Sequence, residues 1–274
     1  MKKTRRRALG QHYLHNRGVL DKIVRAVDPR KEELVIEVGP GRGALTFPLA
    51  EKAGRVVAVE KDSRLIPGLR ERAPANLVLL QADVLRVSFR EILKSHPEFS
   101  PPVKLAGNLP YSISSPLLFN VLEEKELFDR CVFLLQKEVA QRICANSGSK
   151  RYAPLSILIQ MHFEAKILFT VSPSSFSPPP RVDSALIRLE KREHPLFLLP
   201  DEEAFGAFLQ SAFSHRRKTL WNNLLAAGFK RAALENAFRQ AGLDLKVRAE
   251  SLPIDKLVRL FIRITVKKDR VSFD

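Results

Sequence analysis

Apolar residues Val19, Leu20, Ile23, Val24 and Val27 fall on one helical face, and Asp28-Pro29 ends that helix. Short apolar runs then alternate with amphipathic stretches. The runs Leu34–Val38, Arg55–Glu60, 77–82, 103–107 and 131–135 predict five strands. The stretches 44–52, 63–72, 116–125 and 138–145 predict the helices between them. Strands that are apolar along their whole length, separated by helices, predict a parallel sheet covered on both faces.

The rhythm changes beyond residue 150. Pro154–His162 is apolar enough for a buried helix, while 165–171 and Ser184–Lys191 read as two more strands. The proline-rich segment 172–181 joins them, so they predict an antiparallel edge hairpin with its prolines confined to the connection. After His194-Pro195 only helical periodicity remains, over 202–213, 219–227, 231–240 and 254–264. The prediction is an α/β protein: a mostly parallel sheet domain over 1–190, then a smaller, all-helical domain over 191–274.

Composition adds a partner class. The 274 residues carry a formal charge of +16, which points to a polyanion. Lys2, Lys3, Arg5, Arg6 and Arg7 concentrate part of it at the start, and Arg216, Arg217 and Lys218 mark a second basic cluster near a helix junction. These last three are the candidate RNA-contacting residues. Cys131 and Cys144 form no CxxC pair and read as small buried hydrophobes, as expected of a reducing, cytoplasmic compartment. The histidines lack metal-ligand spacing and no apolar stretch is long enough for a bilayer span, so neither a metal nor a membrane partner is expected.

The candidate chemistry sits after the strands. Gly39, Gly41 and Gly43 follow the first strand, where glycine permits unusual backbone angles and close approach of a ligand. The following helix start could offer N–H groups to an anion. Gly39-x-Gly41-x-x-Ala44 also fits the dinucleotide fingerprint, which keeps a dehydrogenase open. Glu60, ending the second strand, suits an acceptor for both ribose hydroxyls of an adenosine cofactor, whether NAD or S-adenosylmethionine. Asp83 after the third strand either accepts from a cofactor adenine amine or caps the turn beginning at Val84.

Asn108-Leu109-Pro110-Tyr111 discriminates among these readings. The exocyclic amine of adenine is a poor nucleophile because its lone pair is delocalised into the ring. Acceptors on both amine hydrogens would draw the nitrogen toward tetrahedral shape and free that pair. The Asn108 side-chain carbonyl supplies one, and the backbone carbonyl of Leu109 or Pro110 the other. Tyr111 offers a face for a flipped base. Hydride transfer has no use for such a loop.

The chain resembles the KsgA-type small-subunit ribosomal RNA adenine dimethyltransferases over nearly its whole length. The resemblance is carried by Leu9-Gly-Gln-His-Tyr-Leu14, Glu37-Val-Gly-Pro-Gly-Arg-Gly-Ala-Leu-Thr46, Gln81-Ala-Asp83 and Asn108-Leu-Pro-Tyr-Ser-Ile-Ser-Ser-Pro-Leu117. Gln136-Lys-Glu-Val-Ala140, Phe176-Ser-Pro-Pro-Pro-Arg-Val182 and Ala212-Phe-Ser-His-Arg-Arg-Lys-Thr-Leu220 extend it. It implies a Rossmann-like S-adenosylmethionine-dependent fold. Gln11, His12 and Leu14 would lie over the cofactor, with Gly39, Gly41, Glu60, Asp83 and Asn108 completing the cofactor site. It also implies that Phe176 borders the target base opposite Tyr111. Asparagine is common at position 12 in such enzymes, and here it is histidine. The implied substrate is a pair of adjacent adenosines in the 3′-terminal hairpin loop of small-subunit rRNA, methylated by a monomer on the immature subunit. The alternatives are a large-subunit rRNA adenine methyltransferase of the macrolide-resistance type and a noncatalytic RNA-binding assembly factor.

Overall fold

A computed structural model describes residues 11–265, so the basic cluster at Lys2–Arg7 and Leu9-Gly10 lie outside the described residues. The strands are β1 (Tyr13–Leu14), β2 (Leu34–Val38), β3 (Arg55–Glu60), β4 (Leu77–Gln81), β5 (Val103–Asn108), β6 (Phe128–Gln136), β7 (Phe163–Val171), β8 (Phe176–Ser177) and β9 (Ser184–Lys191). Seven of them form one sheet in the order β4-β3-β2-β5-β6-β9-β7. β4 through β6 run parallel, while β9 is antiparallel to both β6 and β7. The edge hairpin is thus present, with β9 inside and β7 at the margin. Chain order runs outward from β2 to β4 and then returns to β5, so the topological switch point lies between β2 and β5.

The helix Arg17–Val27 is capped by Asn16, whose side chain accepts from Val19 N, and packs Leu20, Ile23, Val24 and Val27 into the core of the sheet unit. Two helices are shorter than their amphipathic patterns predict, Thr46–Ala50 and Ile66–Arg70, with turns taking up the rest. A helix at Phe89–Lys94 was not predicted. Ser88 caps it, and the Glu124 carboxylate adds bonds to Ser88 Oγ, Phe89 N and Arg90 N. A second unforeseen feature is the two-residue pairing of β1 with β8, which sets Tyr13 opposite Ser177 and Leu14 opposite Phe176.

The chain divides into two compact units, and not by a single cut near residue 190. Residues up to Gln141 group with His162–Glu193, and Arg142–Met161 group with the residues from His194 onward. The reason is core membership. Tyr152, Ile157 and Met161 bury in the same cluster as Phe205, Phe208, Trp221, Phe238 and Phe261, which belong to the helices Glu202–Ala212, Leu220–Ala226, Arg231–Ala241 and Ile254–Thr265. Of the two cysteines, Cys131 is buried and Cys144 only half-buried. Among the described residues no helix is long and apolar enough to cross a membrane.

Buried charged residues interrupt the apolar strands at Glu37 on β2, Glu60 on β3 and Lys104 on β5. All of β2 is buried, including Glu37, which faces Ala58 on β3 and Ala106 on β5 across the two ladders. Those small neighbours leave it room. Its Oε2 has no hydrogen-bond partner among the described residues, and burial above all, with Glu60 nearby, pushes its carboxyl up to about 8. The folded protein therefore holds a proton that the unfolded chain, at its ordinary value of 4.5, gives up. That contribution to stability is complete below pH 4.5 and is lost as pH rises through 8. Glu37→Gln should flatten the stability curve across this window. Urea unfolding at either end of it should show the parent losing on the order of a few kcal/mol that the variant keeps; parallel curves would refute a buried, protonated Glu37.

Candidate active site

The functional candidates gather where open parallel sheets place ligands, at the carboxyl ends of strands on either side of the switch point. β2 and β5 approach closely there: a Cβ on Gly107 would stand 2.6 Å from the Val38 carbonyl oxygen. Only glycine fits. Beyond Val38, the loop takes positive φ at Gly39 (68°), Gly41 (59°) and Gly43 (85°).

The loop's N–H groups turn inward. Gly39 N donates to Val59 O at 3.0 Å, Gly43 N to Pro40 O at 2.8 Å and Gly41 N to Glu60 Oε2 at 3.1 Å. The helix that follows has only five residues and no side-chain cap. The three glycine N–H groups are therefore used within the protein and do not form an anion cradle. The glycines serve backbone shape and close approach.

Glu60 is 5% exposed, with Oε1 accepting from Asp62 N at 2.7 Å beside the Gly41 bond. Burial raises its carboxyl and the two backbone donors oppose that rise. Asp83 does what the capping alternative requires: Oδ1 accepts from Leu85 N at 3.2 Å, and Oδ2 pairs with Lys61 Nζ at 2.7 Å. Lys61 holds it below the usual carboxylate range. Both acids line a cavity of about 200 Å³ with Gln11, Gly39 and Ile113.

Asp62 and Arg64 were not singled out in the sequence. Arg64 Nε donates to Asp62 Oδ1 at 2.7 Å, Gln11 Nε2 donates to Asp62 Oδ2 at 3.3 Å, and Tyr13 OH donates to Gln11 Oε1 at 2.8 Å. This chain of bonds straps the segment carrying Gln11 and His12 to the end of β3. The only hint in sequence was an acid two residues beyond Glu60.

The loop after β5 is equally fixed. Asn108 Nδ2 donates to the His12 carbonyl at 3.0 Å. A carbonyl can only accept, so the amide orientation is settled and Oδ1 is left as the side chain's acceptor. Leu109 is buried, its N–H bonded to Leu134 O at 2.9 Å. The Pro110 carbonyl receives Ile113 N at 3.1 Å and Ser114 Oγ at 3.4 Å. Tyr111 is half-buried. Its hydroxyl lies 3.1 Å from Ser184 Oγ, and burial raises its pKa, making it a weaker acid than an ordinary tyrosine. Asn108, Leu109, Pro110, Tyr111, His12 and Phe176 together line a small cavity that also reaches Gly39 and Glu60. Leu14 and Phe176 are both buried behind it, facing each other across the β1–β8 pair. A larger cavity of about 540 Å³ touches Leu14, Glu37, Gly39 and Asn108.

Arg216, Arg217 and Lys218 lie in the other unit, exposed on the turn before the helix Leu220–Ala226. Arg216 is already occupied, its Nε and Nη2 donating to Glu250 Oε2 at 3.0 and 2.8 Å. Among the described residues no cluster of His, Cys, Asp and Glu could hold a metal ion.

The family model described as "Ribosomal RNA adenine dimethylase" matches residues 2–266. The "Ribosomal RNA small subunit methyltransferase A" of Geobacter sulfurreducens is 41% identical over 259 residues, covering 93% of both chains. Its namesake from Xanthomonas campestris is 41% identical over 258 residues, 93% of this chain and 94% of the other. Among solved structures, a dimethyladenosine transferase from Plasmodium falciparum superposes with a TM-score of 0.75 at 28% identity, over 91% of this chain and 96% of that one. The 23S rRNA methyltransferase ErmE follows at 0.70 and 26%, over 92% and 99%. With the family match running through both units and the Asn108–Tyr111 loop seated at the switch point, the chain belongs to the ribosomal RNA adenine dimethylase family.

Proposed function

We infer that the protein transfers methyl groups from S-adenosylmethionine to the N6 amines of two adjacent adenosines in the 3′-terminal hairpin loop of small-subunit rRNA. It acts as a cytoplasmic monomer on the immature small subunit. The observation that carries this reading is the fixed Asn108 amide, whose Nδ2 is committed to His12 O and whose Oδ1 remains to accept from a substrate amine. The large-subunit reading is weaker, because the small-subunit relatives stand at 41% identity and ErmE at 26%.

The chain suits this cofactor. A loop whose glycine N–H groups turn inward fits a donor without phosphates better than a dinucleotide. Glu60, buried and anchored by two backbone donors, would hold the ribose, with Gln11, Leu14 and Gly39 around it. Asp83 would receive the adenine amine only with lone pairs left over from Leu85 N and Lys61. When bound, S-adenosylmethionine supplies a methyl group already activated by its positive sulfur. The protein's task is then alignment.

Asn108 Oδ1 accepts one hydrogen of the target amine. Because the Pro110 carbonyl is occupied by Ile113 N and Ser114 Oγ, the Leu109 carbonyl takes the other. Tyr111 and Phe176 hold the flipped base by stacking, each such contact contributing roughly 1–3 kcal/mol. Transfer leaves a cationic amine, which then releases its N6 proton to solvent.

Asn108→Ala should slow methyl transfer about 10²–10³-fold with RNA affinity preserved. Single-turnover rates with both ligands saturating test this; a near-parent rate would exclude Asn108 as an acceptor. Tyr111→Phe keeps the ring but loses the bond to Ser184 Oγ, so a moderate defect is expected, about two- to tenfold. Full parental activity would mean that the hydroxyl positions nothing. For RNA contact, replacing Arg217 and Lys218 should lower the slope of log affinity against log salt by roughly 0.7–0.9 per lost phosphate contact. Arg216→Ala should change it less, because Glu250 already neutralises that guanidinium. A salt titration that leaves the double variant's slope unchanged would place these side chains off the RNA.

A further inference from the structure

His12 lines the small cavity formed with the Asn108–Tyr111 loop and Phe176. The main chain of His12 carries the Asn108 bond. The imidazole is used separately. Its Nδ1 lies 2.7 Å from the Pro178 carbonyl oxygen, and its ring centroid stands 5.7 Å from that of Tyr111, tilted 32°.

We propose that His12 is a positioning residue that sets the width of the target-base slot, by tying the segment bearing Phe176 to the ring of Tyr111. The proposal rests on the functional reading above, and on three contacts meeting in one residue. Pro178 is two residues beyond Phe176, so the Nδ1 bond fixes the segment presenting that ring. Ring contact with Tyr111 fixes the opposite wall, which Ser184 Oγ holds from the hydroxyl end. The β1–β8 pair begins one residue later at Tyr13 and ties the same two segments through their backbones, but over only two residues. His12 adds a side-chain brace to that short ladder. Because a carbonyl only accepts, Nδ1 carries the proton, and it does so in the neutral and the cationic ring alike. The brace is therefore present in either charge state.

The two contacts can be removed separately. An asparagine places its Nδ2 where the imidazole places Nδ1, so His12→Asn keeps a donor for Pro178 and loses the ring. His12→Phe keeps the ring and loses the donor. His12→Ala loses both, and all three retain the main-chain carbonyl for Asn108. The measurements are single-turnover methyl transfer, cofactor affinity, and emission of 2-aminopurine placed at the target adenosine. That probe has no N6 amine, so it reports base capture without chemistry.

His12→Asn and His12→Phe should each slow transfer about two- to tenfold, and His12→Ala by roughly the product. Cofactor affinity should fall by much less than the transfer rate in all three. The parent should quench the captured probe by stacking, and His12→Ala should leave it bright. Transfer and quenching at parental levels in His12→Ala would overturn the proposal, as would a loss of cofactor affinity equal to the loss of rate. A parent that quenches the probe but methylates no small-subunit particle would instead refute the functional reading, leaving the His12 series to be decided on quenching.

Discussion

The bond from Asn108 Nδ2 to the carbonyl of His12 joins two parts of the chain 96 residues apart and orients the side chain to which the proposed mechanism gives the target amine. Everything around it serves that orientation. Gly107 lets β5 come close enough to β2 for Asn108 to emerge beside the glycine loop. Leu109 N–H, bonded to Leu134 O, carries the ladder one residue past the end of β5 and stops the loop from swinging. On the other side, Gln11 is strapped through Asp62 to Arg64, and Tyr13 begins the short pair with β8. An amide rotated by half a turn would present donors to an amine and repel it. The hydrogen bond to a group that can only accept excludes that rotation.

Electrostatics follow the same economy. Glu37 and Glu60 are both buried near the switch point, and burial pushes both toward the protonated form. They differ in what opposes it. Two backbone N–H groups favour the charged state of Glu60, whereas Glu37 keeps an oxygen without a partner. Asp62 and Asp83, nearer the surface, are held charged by Arg64 and Lys61. Glu60, Asp62 and Asp83 line one cavity, and Glu37 lines another on the far side of Gly39.

Much of this was legible in the sequence. Mostly apolar runs mark strands of a covered sheet, so the sequence bounds β2, β3 and β9 to the residue and puts Glu60 and Asn108 at strand ends. What escaped has a physical reason in each case. β1 and β8 are two residues long and have no periodicity to read. The apolar face of Pro154–His162 announces burial but not which core receives it, and it went to the helical unit. Glu37 was read only as the start of a glycine motif, because nothing local distinguishes a buried acid from one at a strand end. The helix Phe89–Lys94 did carry a signal, since Ser88 with Glu91 has capping-box spacing. The direction of the glycine N–H groups depends on Val59 and Glu60, on another strand, and no motif contains it.

Dimethylation imposes a further demand on the same two acceptors. In the proposed mechanism the first transfer begins with two amine hydrogens, one for Asn108 Oδ1 and one for the Leu109 carbonyl. The second begins with one hydrogen and a methyl group, so one acceptor must yield. Leu109 is 2% exposed and its N–H is bonded to Leu134 O, whereas the Asn108 side chain is held through a segment whose own ladder is two residues long. Asn108 is the softer partner, and the methyl group is accommodated on its side. After the second transfer no N–H remains and both oxygens lose their donor. An unsatisfied buried acceptor costs about 1–3 kcal/mol, so the dimethylated base is held less well than its precursor. In the proposed mechanism the acceptors that make the amine reactive would therefore also favour release of the dimethylated product.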